Sequence, residues 1–68
     1  MNRTTDRVEI YERVDGTFGW RRIAPNGRII SDDAGQGYVA WHEAFRMAGR
    51  ANHDVSVAEY DGNEYPLR

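Results

Sequence analysis

Alternating apolar and polar residues predict a β-strand near the start of the chain. Between Arg7 and Val14 the apolar residues Val8 and Ile10 share one parity, and polar residues fill most of the other positions. A period of two is the spacing of side chains on one face of a strand. Asp15-Gly16 follows and predicts a two-residue hairpin turn, because both residue types tolerate a positive φ.

The second predicted strand, Thr17–Ala24, leaves one question open. Trp20 lies on a face that Arg22 would continue, whereas Ile23 has the opposite parity. Either Arg22 lies near a sheet edge with its head in solvent, or a bulge near Gly19 moves Ile23 inward. The alternation does not choose between these two arrangements.

A short third strand follows the turn residues Pro25-Asn26-Gly27, which favour tight turns. This strand spans residues 28–31 and carries Ile29 and Ile30. Successive side chains of a strand point to opposite faces, so one of this pair can point at a covering helix. The other needs cover from elsewhere, and a second subunit is one candidate.

The spacing of apolar residues changes to a helical period after the polar, glycine-rich loop at residues 32–37. It predicts an amphipathic helix from about Val39 to Ala51 with a narrow aromatic stripe that includes Trp41 and Phe45. Asn52 is suited to cap the C-terminus of this helix. The N-terminus has no Ser, Thr or Asp directly before it.

A fourth strand is predicted at Asp54–Tyr60, with Val55 and Val57 on one face. The resulting order is β-β-β-α-β, which predicts an α+β fold with an antiparallel sheet and one helix on one face. We place one domain at residues 7–61. Residues 1–6 and 62–68 are predicted to be flexible tails.

The small size of the chain predicts that it forms a homodimer. A protein of 68 residues buries about 60% of its unfolded surface, and its core is marginal. The sequence contains no cysteine, so a disulfide cannot add stability. The residues expected to form the core or the dimer interface are Ile10, Trp20, Ile29, Ile30, Trp41, Phe45, Val55 and Val57.

The charge balance argues against a protein that holds nucleic acid mainly by its overall charge. The chain has nine basic residues, all arginine, and eleven acidic residues, so its net charge is −2. No apolar run is long enough to cross a membrane, and we expect a cytoplasmic protein.

A second candidate function rests on a basic and aromatic hairpin. Trp20 could stack on bases while the neighbouring arginines contact phosphates. The competing interpretation, which we prefer, packs Trp20 under the helix and pairs the arginines with Glu9, Glu12 or Glu59. The residues considered for a nucleic-acid or protein partner are Tyr11, Arg13, Arg21, Arg22 and Arg28.

No motif in the sequence indicates catalysis, a metal site or a cofactor. His42-Glu43 lacks a second histidine four residues later, so it is not a zinc-protease motif. Gly35-Gln36-Gly37 precedes the helix, but no Lys, Ser or Thr follows as in a phosphate-binding loop. We therefore predict a protein without enzymatic activity and without a cofactor.

Several short motifs occur in a fixed order along the chain. They are Glu9-Ile10-Tyr11, Trp20-Arg21, Asn26-Gly27, Ile29-Ile30, Gly35-Gln36-Gly37-Tyr38, and the step Asn52, Asp54, Val55. Together, over roughly Arg7 to Glu59, they resemble the YegP-like family of small uncharacterised proteins. The resemblance implies a β(3)-α-β unit, two of which merge into one sheet and exchange their C-terminal strands. For a chain with one such unit it implies a homodimer.

The sequence thus predicts a small, non-enzymatic, homodimeric protein-interaction module. Its predicted partners are a second copy of itself and another protein. Weak nucleic-acid binding through the Arg/Trp hairpin is the alternative.

Overall fold

A computed structural model describes residues 5–67 of the chain. Its elements are β1 Arg7–Glu12, β2 Phe18–Ile23, β3 Ile29–Asp32, α1 Trp41–Ala51, β4 Val57–Tyr60 and β5 Asn63–Pro66. The strands form one five-stranded sheet in the order β3-β2-β1-β4-β5. The helix packs on β1 and β2. The predicted α+β class is confirmed.

The sheet is mixed, so the prediction of an antiparallel sheet was wrong for one pair of neighbouring strands. β1 pairs antiparallel with β2 but parallel with β4, where Glu9 lies opposite Glu59. Parallel neighbours need a long crossover between them, and here α1 lies in the connection that returns the chain to β1. Strand β4 thus lies between β1 and β5 in the sheet.

Two hairpin turns are confirmed, but each has a three-residue loop. After β1, the Arg13 N–H donates to the Thr17 carbonyl at 2.7 Å, and the Gly16 N–H donates to the Arg13 carbonyl at 2.9 Å. Gly16 has φ +87°, whereas Asp15 does not have a positive φ. A three-residue loop with glycine in the left-handed region is a common alternative to the predicted two-residue turn.

The prediction of a flexible C-terminal tail was wrong for residues 63–66, which form β5. Asp61 and Gly62 have φ values of +52° and +80°, as in a two-residue hairpin turn, and β5 pairs antiparallel with β4. Residues 1–4 of the predicted N-terminal tail and Arg68 lie outside the described residues. Asp6, which the prediction also placed in a tail, accepts a hydrogen bond from Arg22.

The helix begins at Trp41, two residues later than predicted, and ends at Ala51 as predicted. Asn52 caps it, since both its backbone N–H and its side-chain Nδ2 donate to the Ala48 carbonyl, at 3.0 and 2.8 Å. The buried residues of the helix itself are small: Ala44, Ala48 and Gly49. The aromatic residues of the predicted stripe lie beside this contact and are half-buried.

The core is small and lies between α1 and the sheet. Its buried members are Val8, Ile10, Trp20, Ala44, Ala48, Val55 and Ala58. Half-buried aromatic rings extend it on one side. The Trp41 ring stacks on Tyr60 with centroids 5.3 Å apart, and both Trp41 and Phe45 contact Tyr65 of β5.

Strand β4 begins three residues later than predicted, and this changes which residues it buries. Val55 is buried in the turn before the strand, where its N–H donates to the Asn52 carbonyl at 3.1 Å. Ala58 is the buried residue of β4, while Val57 is 39% exposed. The prediction that Val55 and Val57 share a buried face was therefore wrong.

Candidate functional site

The face of the sheet that α1 leaves uncovered, here called the open face, holds three of the five predicted partner-binding residues. Val8 and Ile10 point at the helix, so their neighbour Tyr11 points away from it. The guanidinium carbons of Arg21 and Arg13 lie 4.6 and 5.1 Å from the centroid of the Tyr11 ring. These distances are those of cation–π contacts, so the three side chains form one cluster.

Arg13 also forms an ion pair that holds the loop after β3. Its Nη2 lies 2.6 Å from Oδ1 of Asp33, whose side chain is fully buried. The Gly37 N–H donates to the other carboxylate oxygen at 3.2 Å. The Asp33 carboxylate thus links the β1–β2 hairpin to the loop that leads into α1.

The protonation of this pair follows from its hydrogen bonds. Burial alone would raise the pKa of Asp33, but the hydrogen bonds from Arg13 and from the Gly37 N–H outweigh burial and hold that pKa below its ordinary value. The hydrogen bond to Asp33 raises the pKa of Arg13. Both groups are therefore charged at neutral pH.

Gly19 provides the space that Arg13 needs to reach Asp33. A Cβ atom at this position would collide with the Arg13 guanidinium, which lies directly over the glycine. The Nη1 atom of Arg13 is buried there and has no hydrogen-bond partner among residues 5–67. The glycine in the middle of β2 is thus explained by close packing and does not mark a bulge.

Carboxylates also neutralise the remaining arginines of the open face. Arg21 Nη2 lies 3.0 Å from Glu9 Oε1, as the preferred interpretation of the sequence predicted. Arg7 lies 3.3 Å from Glu9 and 3.5 Å from Glu59. These pairs are partly exposed, so each contributes little to stability, but together they leave the face without a strong positive charge.

Arg22 lies on the opposite face, beside α1. It pairs with Asp54 at 2.7 Å and with Asp6 at 2.9 Å. Neither predicted alternative holds as stated: β2 is an inner strand of the sheet, and the head of Arg22 meets carboxylates and not solvent. Ile23 lies opposite Arg7 on the face away from the helix and is nevertheless buried, at 7% exposed. The irregularity in β2–β3 pairing falls between Arg22 and Ile23, not at Gly19.

The structure therefore divides the predicted surface among three places. Arg28 is exposed at the start of β3, apart from both groups of arginines. The Trp20 ring is 6% exposed and belongs to the core, so it is not available to stack on a base. The predicted hairpin cluster is not one continuous surface.

Exposed apolar side chains lie along the β3 side of the sheet. Strand β3 is the last strand on its side of the sheet, and its isoleucines Ile29 and Ile30 are 56% and 54% exposed. Tyr38 continues this edge, because its backbone exchanges two hydrogen bonds of 2.8 Å with Phe18 at the other end of β2. Val39 follows and is 85% exposed. We call residues 28–32 together with Tyr38 and Val39 the β3 edge.

The two edges of the sheet differ in character. Of the five exposed large apolar side chains within residues 5–67, the β3 edge carries three: Ile29, Ile30 and Val39. The opposite edge, β5, carries Glu64 and Pro66. Proline and charge on an edge strand discourage pairing with another strand. Strand β3 contains no proline, and its charged residue is Asp32, at its end.

Most of the charged residues that line the larger surface cleft already have partners. The larger cleft, about 340 Å³, is lined by carboxylates that already bond to arginines, namely Asp6, Asp54 and Glu59, as well as by Glu64. Within residues 5–67 no three His, Cys, Asp or Glu side chains group as metal ligands would. No helix in that part of the chain is both long and apolar enough to cross a membrane.

Comparisons of the chain with protein-family models, with curated proteins and with solved structures find no match. The resemblance to the YegP-like family therefore stays a prediction from short motifs.

Proposed function

We propose that this chain is a small, non-enzymatic, homodimeric protein-interaction module that associates through its β3 edge. The observation that carries the proposal is the exposure of both isoleucines of an edge strand. An edge strand presents unpaired backbone N–H and C=O groups, and a second strand can pair with them. Large apolar side chains beside those groups are the contacts that such a strand would bury.

The size of the core supports the same proposal. Three of the seven buried core residues are alanines, and the two largest aliphatic residues of β3 contribute nothing to that core. Chains of this size often need a partner subunit for stability. Covering Ile29 and Ile30 would add apolar burial that one chain does not achieve.

The charges favour a protein partner over nucleic acid. Arg13, Arg21 and Arg22 each pair with a carboxylate, and the net charge of the chain is −2. Affinity for nucleic acid comes largely from basic groups that are free to contact phosphates. We place the module in the cytoplasm, in keeping with a sequence without cysteine.

Sedimentation equilibrium at tens of micromolar tests the proposal. We expect the wild-type chain to be dimeric, and Ile30→Lys to be monomeric because a lysine on an edge strand opposes strand pairing. Val14→Lys is the matched control. It replaces an apolar residue that is fully exposed in the β1–β2 loop, away from the β3 edge. This substitution should leave the dimer intact. A folded wild-type monomer at these concentrations would contradict the proposal.

A further inference from the structure

We propose that two copies of the chain pair antiparallel along β3, about a two-fold axis at Ile30, so that two five-stranded sheets become one. This inference rests on the homodimer proposed above and specifies its geometry. It is carried by the positions of charged and apolar residues on β3 and by the symmetry that a dimer of identical chains requires.

Charge sets the direction of pairing. Arg28 precedes the strand and Asp32 is its last residue, and both are exposed. Neither forms an ion pair within residues 5–67, although Asp32 Oδ1 accepts a hydrogen bond from the Ala34 N–H. Antiparallel pairing brings the Arg28 end of one strand to the Asp32 end of its copy, twice by symmetry. Parallel pairing would instead bring Arg28 to Arg28 and Asp32 to Asp32.

Symmetry leads to the same arrangement. Dimers of identical chains are usually two-fold, and each copy uses the same patch. A two-fold axis perpendicular to the sheet relates antiparallel strands and keeps each face on its own side. Both α1 helices then cover one face of the joined sheet, and both Tyr11–Arg13–Arg21 clusters lie on the other.

The apolar residues place the axis. Ile30 is the middle residue of the stretch from Arg28 to Asp32, so an axis at Ile30 sets Arg28 opposite Asp32 of the copy and brings four isoleucines together. Ile23 pairs with Ile29 and Arg22 with Ser31, which makes Ile30 the extra residue of a β-bulge. The bulge strengthens the local twist of the strand, and both β3 isoleucines remain more than half exposed beside it.

The antiparallel dimer would also cover Val39. Beyond Asp32 the edge continues through the loop at residues 33–37 to Tyr38 and Val39, alongside the start of β2. In an antiparallel dimer the copy's β2–β3 turn, which contains Pro25, projects in this direction. It is the part of the copy that would cover Val39.

Charge reversal tests the direction of pairing. For Arg28→Glu and for Asp32→Lys, each of which creates two like-charge contacts, we expect the dimer dissociation constant to rise about tenfold. The double variant Arg28→Glu/Asp32→Lys restores both attractive contacts and should return the dissociation constant close to that of the wild type. The antiparallel arrangement would be overturned if the single reversals left the dissociation constant unchanged. It would also be overturned if the double variant dimerised more weakly than either single variant.

Cross-linking tests the position of the axis. Because the chain has no cysteine, Ser31→Cys and Ser56→Cys each introduce one thiol at an exposed serine. A short bismaleimide should join two copies of the Ser31→Cys variant efficiently and should not join the Ser56→Cys control, which precedes β4. A stable wild-type dimer that cross-links at Ser56→Cys alone would overturn this inference and leave the homodimer standing, with exchange of C-terminal strands as one explanation. A chain that stays monomeric would overturn both.

Discussion

Asp33 is the residue that most directly ties the loops of this chain together. Its buried carboxylate accepts hydrogen bonds from Arg13 and from the Gly37 N–H, and its own N–H donates to the Trp20 carbonyl at 3.2 Å. The turn that follows needs such support, because Ala34 has φ +57°, a left-handed conformation that costs an L-residue about 1–2 kcal/mol. The pair with Arg13 therefore holds a strained turn at the entry to α1.

Replacing Asp33 with asparagine should destabilise the fold by about 2 kcal/mol at neutral pH, because the side chain keeps its size but loses the charge that binds Arg13. Urea denaturation of the two proteins, at a concentration where both are monomeric, measures the difference. Asp32→Asn is the control, since that neighbouring carboxylate is exposed, and it should change stability much less.

The same comparison predicts a pH dependence. The pKa of Asp33 is lower in the folded chain than in the unfolded one, so its contribution is complete above the unfolded value of about 3.9 and is lost as the pH falls through the folded value. The stability gap between the wild type and Asp33→Asn should therefore close in acid. A gap of constant size down to low pH would show that the charge is not its cause.

At the scale of elements, the helix packs closely but begins without a cap. Alanine and glycine at its buried positions let the helix approach the sheet, while Trp41 and Phe45 meet Tyr60 and Tyr65 along one side. The residue before the helix, Ala40, has extended backbone angles and no side-chain hydrogen bond to the first turn. This backbone is suited to a capping side chain that the sequence does not provide.

Introducing that cap should stabilise the fold. We expect Ala40→Ser to add about 1 kcal/mol, because the serine hydroxyl accepts a hydrogen bond from the exposed N–H groups of the first turn. For a domain of this size the melting temperature should rise by about 4–8 °C, which calorimetry would detect. Ala51→Ser, at the last residue of the helix, serves as the control and should bring no gain. A melting temperature unchanged by Ala40→Ser would contradict the assigned start of α1.

At the scale of the whole molecule, the chain is one sheet with a single helix on it. The helix contacts β1 and β2, so it covers neither the open face nor the β3 edge. Ion pairs with carboxylates neutralise Arg7, Arg13 and Arg21 on the open face. The isoleucines of the edge have no such partners, which is why we assign association to the edge.

Association of this kind should make thermal stability depend on concentration. If the folded dimer dissociates as it unfolds, mass action raises the melting temperature as the protein concentration increases. We expect this rise for the wild type and for Val14→Lys, and its absence for Ile30→Lys, when melting is followed by circular dichroism over a hundredfold range of concentration. A wild-type melting temperature that is independent of concentration would contradict the dimer.

The sequence by itself determined most of the elements. Period-two and helical spacing, with the turn residues between them, predicted β1, β2, β3, β4 and α1. Pairing of the hairpin arginines with Glu9, Glu12 or Glu59 was also predicted, and the structure selects Glu9 for Arg21. Strand β5 was missed although the signal was present: Asp61-Gly62 is the same dipeptide as Asp15-Gly16, and an alternating segment with Tyr65 follows it. The cluster of Trp41 with Tyr60 and Tyr65 was missed with it.

Tertiary structure decided how those elements meet. The parallel pairing of β1 with β4, the burial of Asp33 under Arg13, and the division of the predicted arginine surface between two faces all depend on residues far apart in the chain. Periodicity reports which side of its own element a residue occupies, because that is a local property of the backbone. It does not report which distant element lies against that side, and so it left open that Arg22 would meet Asp54 while Ile29 and Ile30 would stay more than half exposed.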